Sequence, residues 1–385
     1  MPISHISHIS HISQHFTNAG LNVSENVSLA EYSTMRVGGT ASALVHATTQ
    51  DELAKAIQVA QAQNIPMYFL GSGSNTLFVD DFDGVLIKIE TKGIITLEDD
   101  GESTLFSVAA GEDWHEFVEF CVDQNLVGNE NLAYIPGTVG AAPVQNIAAY
   151  GQVQEDTMVS VTAIEIETGE RKTFSKAECD FSYRGSIFKG KLRGKYCIAS
   201  VQYRLQKATN YTPELSYHSR YESLRDFLPK TNKPITPKDI FRAIVALRKH
   251  KLPQVEESGT LGSFFMNPFI SKDHLLELQQ TFPDIQFYPV DKMQYPTTSD
   301  PELQNAELVK IPAGWLLEEL GFRGKFQGNV GTSPKQALCI VVTGPATGEE
   351  VLAFAQKIRN TVLQKTNISL QTEVNIIDKT GPREL

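Results

Sequence analysis

Residues 43–70 constrain the fold more than any other stretch, because they read as strand, helix, strand. Thr49 and Glu52 form a capping box, and Leu53, Ile57 and Ala60 recur behind it at helical spacing. Ile65 and Pro66 stop that helix, and "MYFL" at 67–70 reads as a short buried strand. Strands joined through a helix are expected to lie parallel. A second pattern follows. A helix starts at Asp113, with Glu116 three residues on, and lines up Trp114, Phe117, Val118 and Cys121. From 158 to 205 the chain turns to short strands, with "AIEIETGERKTF" a hairpin around Thr168–Gly169. That switch predicts an antiparallel sheet in a second domain.

A third region opens with Thr236 as cap and Pro237 at the first helical position, and Ile240, Ile244 and Leu247 form its stripe. A helix from Pro312 to Leu320 is closed by Gly321, and 283–309 is a long turn-rich surface excursion. The last helix carries the box Thr347–Glu350 and the stripe Val351, Phe354, Ile358 and Val362. "ISLQTEVNII" then alternates as a strand. A chain of 385 residues can support two or three cores of this kind.

The net charge of −11 argues against general affinity for nucleic acid or anionic membranes. An anionic ligand must then be held by local cations and backbone amides. The four cysteines form no C-x-x-C pair, and Cys121 and Cys339 lie in apolar runs, as buried thiols do in a reducing compartment. No apolar run is long enough to span a membrane, and the start lacks a signal-peptide core, so a cytoplasmic location is expected. The opening repeats Ser-His-Ile and brings His5, His8, His11 and His15 close in sequence. With no acidic or cysteine partner among them they read as a disordered leader, residues 1–15, with no metal expected.

Four stretches could carry chemistry. In "LGSGSNTLFVDD" (70–81), Gly71 and Gly73 free consecutive amides for an anion, with Ser72, Ser74 and Asn75 adding donors; the alternative is a tight structural turn. It lacks the Gly-Lys-Ser/Thr of a phosphate loop and continues as strand, not helix, so it is no dinucleotide fingerprint either. "IPGTVGAAPVQNIAAYG" (135–151) is a run of small residues that lets backbone approach a large flat ligand, unless it is only a well-packed loop. Together the two favour a cofactor with a diphosphate and an extended ring. In "FSYRGSIFKG" (181–190), Arg184 could clamp a carboxylate or merely cover apolar surface at a strand edge. Ser263 in "GTLGSFFMNP" either bonds its own backbone or moves a proton; Leu261 rules out the G-x-S-x-G elbow of hydrolases. Glu373 shares a strand face with Ser369, Gln371 and Asn375.

Taken in order, "STMRVGG", "GSGSNTLFVD", "AGEDWHEFV", "NLAYIPGTVGAAPVQNIAAYG", "FSYRGSIFK", "KLPQ", "GSFFMNP", "IPAGWLLE" and "LQTEVNII" resemble the UDP-N-acetylenolpyruvoylglucosamine reductase family of peptidoglycan synthesis, over roughly residues 16–377. "LSYH" and "SYRGSIFK" look like the subclass whose substrate is covered by a tyrosine-bearing loop. The resemblance implies an α+β fold: a small parallel βαβ subdomain at 16–75 completed by 366–385, an antiparallel-sheet subdomain at 76–250, and an α+β substrate domain at 251–365. It implies FAD held noncovalently between the first two, at Gly71, Ser72, Gly73, Ser74, Asn75, Pro136, Gly137, Gly140, Ala141, Asn146 and Gly151. NADPH would be the reductant and a UDP-sugar the substrate, with no nucleic-acid or membrane partner and a monomeric chain.

By the same resemblance Arg184, Ser263 and Glu373 are catalytic, and Tyr183, Tyr217, Lys251, Asn267, Lys310 and Gln336 surround the nucleotide sugar. Reducing an enolpyruvyl ether delivers hydride to one alkene carbon and a proton to its neighbour. Arg184 would spread the charge building beside the substrate carboxylate, Glu373 as a neutral acid would hydrogen-bond the same group, and Ser263 would supply the proton. Two departures bear on affinity: Met266 stands where a lysine would suit a diphosphate, and Ser333 where relatives carry histidine. A sugar or alcohol oxidase of the same architecture, or a nucleotide-sugar binder without catalysis, are the alternatives. The lack of an obvious histidine for flavin attachment speaks against the first, and the joint presence of Arg184, Ser263 and Glu373 against the second.

Overall fold

The computed structural model describes residues 12–215, 223–290 and 307–385. The chain divides into two compact units: Met1–Val27, Ala41–Ser72 and Gly84–His250 form the first, and Ser28–Thr40, Gly73–Asp83 and Lys251–Leu385 the second. Its fold is mixed α+β, with several separate sheets.

The first unit holds two cores. One is built on a four-stranded sheet in the order Asn22–Ser28, Thr40–Ala47, Phe82–Ile89, Met67–Leu70. Helix Gln50–Ala62 covers it, started by the Thr49–Glu52 capping box, with Leu53, Ala56, Ile57 and Ala60 inward. Met67–Leu70 runs parallel to Phe82–Ile89. The strands flanking the helix are therefore not neighbours, because a strand from later in the chain inserts between them. "MYFL" is also less buried than expected, with only Leu70 fully covered. Residues 12–18 are helical, and Ile12 and Phe16 pack into this core. The last four residues of the expected leader thus belong to the fold, since two apolar side chains one turn apart share an inward face.

The second core lies on the antiparallel sheet ordered Arg171–Ser175, Met158–Glu165, Tyr196–Lys207, Ser103–Ala109, Ile94–Asp99. The hairpin at 165–170 joins the first two of these strands. Helix Trp114–Asp123 starts at Asp113, whose side chain accepts from the Glu116 amide. Trp114 is fully buried, donates from Nε1 to the Leu132 carbonyl at 2.9 Å, and meets the Tyr203 ring edge-on. Helix Pro237–Lys251 sends Ile240, Phe241, Ile244 and Leu247 into the same core. That helix, read from sequence as opening a third region, completes the second core of the first unit.

In the second unit a sheet ordered Gly259–Ser263, Cys339–Val342, Val330–Thr332, Phe326–Gln327 packs with helices Ala313–Glu319 and Gly348–Thr366 around Phe264, Phe265, Trp315, Phe354 and Ile358. A three-stranded sheet orders Phe269–Ser271, Leu308–Lys310 and Tyr288–Pro289. The C-terminal segment departs from expectation twice. Residues 366–385 belong to this unit, where Asn375–Asp378 pairs in parallel with Thr76–Phe78. Thr76–Phe78, expected to open the antiparallel subdomain, lies here as well. And "ISLQTEVNII" is a strand only from Asn375 on. Its burial alternates through Leu370, but Phe265 and Thr372 make only an isolated bridge, and 373–374 bend. The period-2 pattern marks an extended chain in contact with a core, with or without a ladder beside it.

Candidate active site

In the first unit, "FSYRGSIFKG" folds as a tight turn in which Ser182 and Gly185 exchange both backbone hydrogen bonds at 3.1 Å. Arg184 sits in it at φ +53, the left-handed region that costs a non-glycine residue on the order of 1–2 kcal/mol. The turn is tied to the small-residue stretch by three bonds. Asn146 Nδ2 donates to the Ser182 carbonyl at 3.3 Å, Arg184 Nη2 to the Ala148 carbonyl at 3.1 Å, and Ser186 Oγ to the Val144 carbonyl at 2.7 Å. Tyr183 places its ring 5.6 Å from the Arg184 guanidinium. Arg184 remains half-buried, not covering a strand edge.

The two glycine-bearing stretches of this unit lie side by side. A Cβ on Gly71 would stand 2.8 Å from Thr138 Oγ1, so only a glycine admits the contact. Ser72, Pro136 and Ala141 are exposed, with Gly71, Gly137 and Thr138 half-buried between them. A surface of backbone, two hydroxyls and small side chains fits the diphosphate and flat ring of FAD. Some residues of the expected cofactor-binding set have their polar groups engaged within the protein. The Gly140 amide donates to the Ala110 carbonyl at 2.9 Å and the Ala141 amide to the Thr138 carbonyl at 3.0 Å; Gly140 is buried, where a Cβ would stand 2.6 Å from Ala110 Cβ, while Ala141 is exposed. Asn146 is buried, its amide spent on Glu155, Ser182 and Gln154. Gly151, at φ +87, is exposed at the end of the stretch.

The start of that stretch is fixed from behind. The Tyr134 amide donates to His115 Nδ1 at 3.1 Å, and Arg248 Nε donates to the Tyr134 carbonyl at 2.9 Å. His115 stacks on Phe241 at 5.2 Å. Burial lowers its pKa, with Asp113, Glu119 and Glu116 opposing and Lys249 adding to the shift. Burial also raises the thiols of Cys121, Cys179 and Cys197, which removes them as nucleophiles.

In the second unit Ser263 closes strand Gly259–Ser263, and the ladder with Cys339–Val342 is irregular just before it. Thr260 pairs with Val341 and Ser263 with Cys339, so the serine strand carries an extra residue. Gly262 takes up that bulge at φ +70, and a Cβ there would meet nothing within 4 Å. The glycine is required by its backbone angle, not by crowding. Such bulges re-aim the side chain that follows, and Ser263 is left half-exposed. The next residue receives Glu373: the Glu373 amide donates to the Phe264 carbonyl at 2.9 Å. Asn75 Nδ2 holds the Glu373 carbonyl at 3.2 Å, and the Asn375 amide donates to the Asn75 carbonyl at 2.9 Å. Glu373, 110 residues from Ser263 in sequence, is thereby bonded through its backbone to the residue that follows the serine. Gly73 and Ser74, in this unit, are buried.

Asn267, Lys310 and Gln336 gather near the start of helix Ala313–Glu319. Asn267 Oδ1 accepts from the Ala313 amide at 2.9 Å, Gln336 Oε1 lies 2.9 Å from where a Gly314 Cβ would be, and Lys310 ends the strand leading into the helix. Lys251 ends helix Pro237–Lys251 half-buried, and Tyr217 lies outside the described residues. Met266 is half-buried; Ser333 is buried, its Oγ accepting from the Lys335 amide at 3.2 Å. Sequence reasoning missed Gln154 and Tyr203, which are fully buried and join Asn146 from below. Gln154 sits in the polar run "GQVQED", which reads as a solvated turn. Among the described residues no group of three His, Cys, Asp or Glu side chains could hold a metal ion, and no helix is long and apolar enough to cross a membrane.

Residues 41–175 match the family described as FAD binding domain. This defines the chain as a flavoprotein. Residues 254–377 match the C-terminal domain of UDP-N-acetylenolpyruvoylglucosamine reductase. The reductase of that name from Flavobacterium johnsoniae is 37% identical over 93% of this chain and 100% of its own length. The one from Pseudoalteromonas atlantica is 41% identical over 84% and 86%. The chain belongs to the UDP-N-acetylenolpyruvoylglucosamine reductase family. In fold it is similar to the crystal structure of the Thermus caldophilus enzyme, with a TM-score of 0.60 at 21% identity over 92% of this chain and 99% of that one.

Proposed function

We propose that this flavoprotein reduces UDP-N-acetyl-enolpyruvoylglucosamine to UDP-N-acetylmuramate, with NADPH as reductant, as a step of peptidoglycan precursor synthesis in the cytoplasm. The observation that carries the reading is the presentation of Ser263 by a glycine bulge, with the backbone of Glu373 bonded to the next residue, Phe264. A proton donor to carbon must be held close to it, and this placement is set by backbone alone. FAD, when bound, supplies the hydride chemistry. Gly71, Ser72, Gly137 and Thr138 would hold it through amides, hydroxyls and small size.

The protein's own residues account for the rest. Arg184 pairs with the substrate carboxylate and stabilises negative charge as it spreads from the adjacent carbon. Glu373, as a neutral acid, donates a hydrogen bond to the same carboxylate. Ser263 Oγ gives its proton to that carbon, which is basic enough in its enolate form to take one from an alcohol held within reach. Asn267, Lys310 and Gln336 would bind the nucleotide sugar with Tyr183, Lys251 and Tyr217. Purified protein should release FAD on acid treatment and, given NADPH, convert the enolpyruvyl substrate to a product with two more hydrogens, read by mass spectrometry. FAD-loaded protein that leaves this substrate unchanged, or consumes oxygen with simple sugars instead, would overturn the assignment.

A further inference from the structure

Arg184 occupies a strained backbone angle, and strain persists where neighbours over-determine it. The three bonds from residues 144–148 to the 182–186 turn supply that constraint. Of these, the one from Asn146 depends on which way its amide faces. Reversed, Oδ1 would oppose the Ser182 carbonyl and the Glu155 carboxylate, two acceptors with nothing to donate. The orientation is fixed from inside the core. The Tyr203 hydroxyl donates to Gln154 Oε1 at 3.1 Å, which turns Gln154 Nε2 toward Asn146 Oδ1, also at 3.1 Å. Asn146 Nδ2 is then directed at Ser182 and, at 2.9 Å, at Glu155. Gln154 and Tyr203 are fully buried and Asn146 nearly so, so water is not there to replace a lost partner.

We infer that Gln154 is a positioning residue for Arg184: by locking the Asn146 amide it holds the Ser182–Gly185 turn, and with it the guanidinium, in its working place. The inference rests on the reading that Arg184 holds the substrate carboxylate. Gln154 touches neither cofactor nor substrate in this scheme. Its effect is therefore confined to the step in which Arg184 acts.

The test compares Gln154→Met, which keeps the volume and removes both hydrogen bonds, with Tyr203→Phe, which removes a single hydroxyl. FAD content and flavin reduction by NADPH should stay at parent levels in each. Flavin reoxidation by the enolpyruvyl substrate should slow by roughly 10-fold in Gln154→Met, the lower range for outer-shell positioning groups, and by less in Tyr203→Phe. In an Arg184→Ala background Gln154→Met should slow reoxidation no further, because the group it positions is gone. Parent-rate reoxidation in Gln154→Met, or an undiminished second loss on top of Arg184→Ala, would overturn the inference while leaving the role of Arg184 intact. Arg184→Ala reoxidising at the parent rate would instead overturn the carboxylate reading itself. Should Gln154→Met fail to fold, Tyr203→Phe in the two backgrounds decides the matter by the same comparison. Loss of FAD together with both half-reactions in a folded variant counts against positioning, since it marks a general structural role.

Discussion

Arg184 stands in a turn tied to residues 144–148 by three side-chain hydrogen bonds, one from Asn146 and two from the turn's own Arg184 and Ser186, whereas Ser263 ends a strand placed by main-chain pairing and a one-residue bulge. In the first case each constraint belongs to a different side chain, so the loss of one weakens the hold on the turn without releasing it. In the second the geometry is carried by backbone angles, and sensitivity concentrates on the one residue whose angle is special. Under the proposed function, a serine giving a proton would tolerate little freedom, and a guanidinium spreading charge over a carboxylate would accept more.

The sharpest way to break this comparison is at Ser263 itself. Ser263→Ala should slow substrate-driven flavin reoxidation by ~10²–10⁴-fold, with flavin reduction by NADPH unchanged in stopped-flow absorbance. Ser263→Cys, with the stronger acid, should recover part of that loss. If the alanine variant reoxidises at the parent rate, the bulge serves only the strand. Next comes Gly262→Ala. Nothing crowds a Cβ there, so its cost is the left-handed angle alone, about 1–2 kcal/mol in denaturant unfolding. An unchanged midpoint would mean that the bulge relaxes easily and does not fix the serine.

Ser186→Ala probes the other region. It removes a buried hydroxyl that donates to the Val144 carbonyl and accepts from the Phe188 amide at 3.2 Å, and should cost about 1 kcal/mol. Because two other ties remain, the turn should keep its place and substrate-driven reoxidation should fall only severalfold. A collapse as deep as that of Ser263→Ala would erase the distinction. The smallest effect is one of pH. His115 accepts from the Tyr134 amide and is therefore neutral when folded, with a pKa held below the ordinary 6.5. The unfolded chain takes up that proton first. Stability from this group is thus complete above pH 6.5, declines as pH falls toward the folded pKa, and is level below it. His115→Asn should flatten that part of a stability–pH curve; an identical slope in both proteins would remove His115 as its source.

Features written in neighbouring residues were legible. The boxes at Thr49–Glu52 and Thr347–Glu350, the Asp113 cap and the 165–170 hairpin all stand as the sequence places them, because each needs only contacts three or four residues apart. What failed involved distant partners. Phe82–Ile89 inserts beside Met67–Leu70, the 366–385 segment joins Thr76–Phe78, and Ile12 with Phe16 finds a core that a histidine-rich repeat conceals. Ser263 and Arg184 stood out by residue type and surroundings, and the family resemblance assigned roles to them and to Glu373. Gln154 did not stand out, since a polar residue among polar residues gives no hint that the fold will bury it.

The sequence by itself determined which chemistry the chain can support. Hydroxyl, guanidinium and carboxyl groups, and glycines where backbone must be bare, are properties of residue type that no packing alters. Tertiary structure alone decided where those groups stand. The pairing that sets Glu373 beside Phe264, the bulge that turns Ser263, and the amide chain beneath Arg184 each join residues far apart along the chain. Such contacts form only after the intervening chain is ordered, and no local preference specifies them.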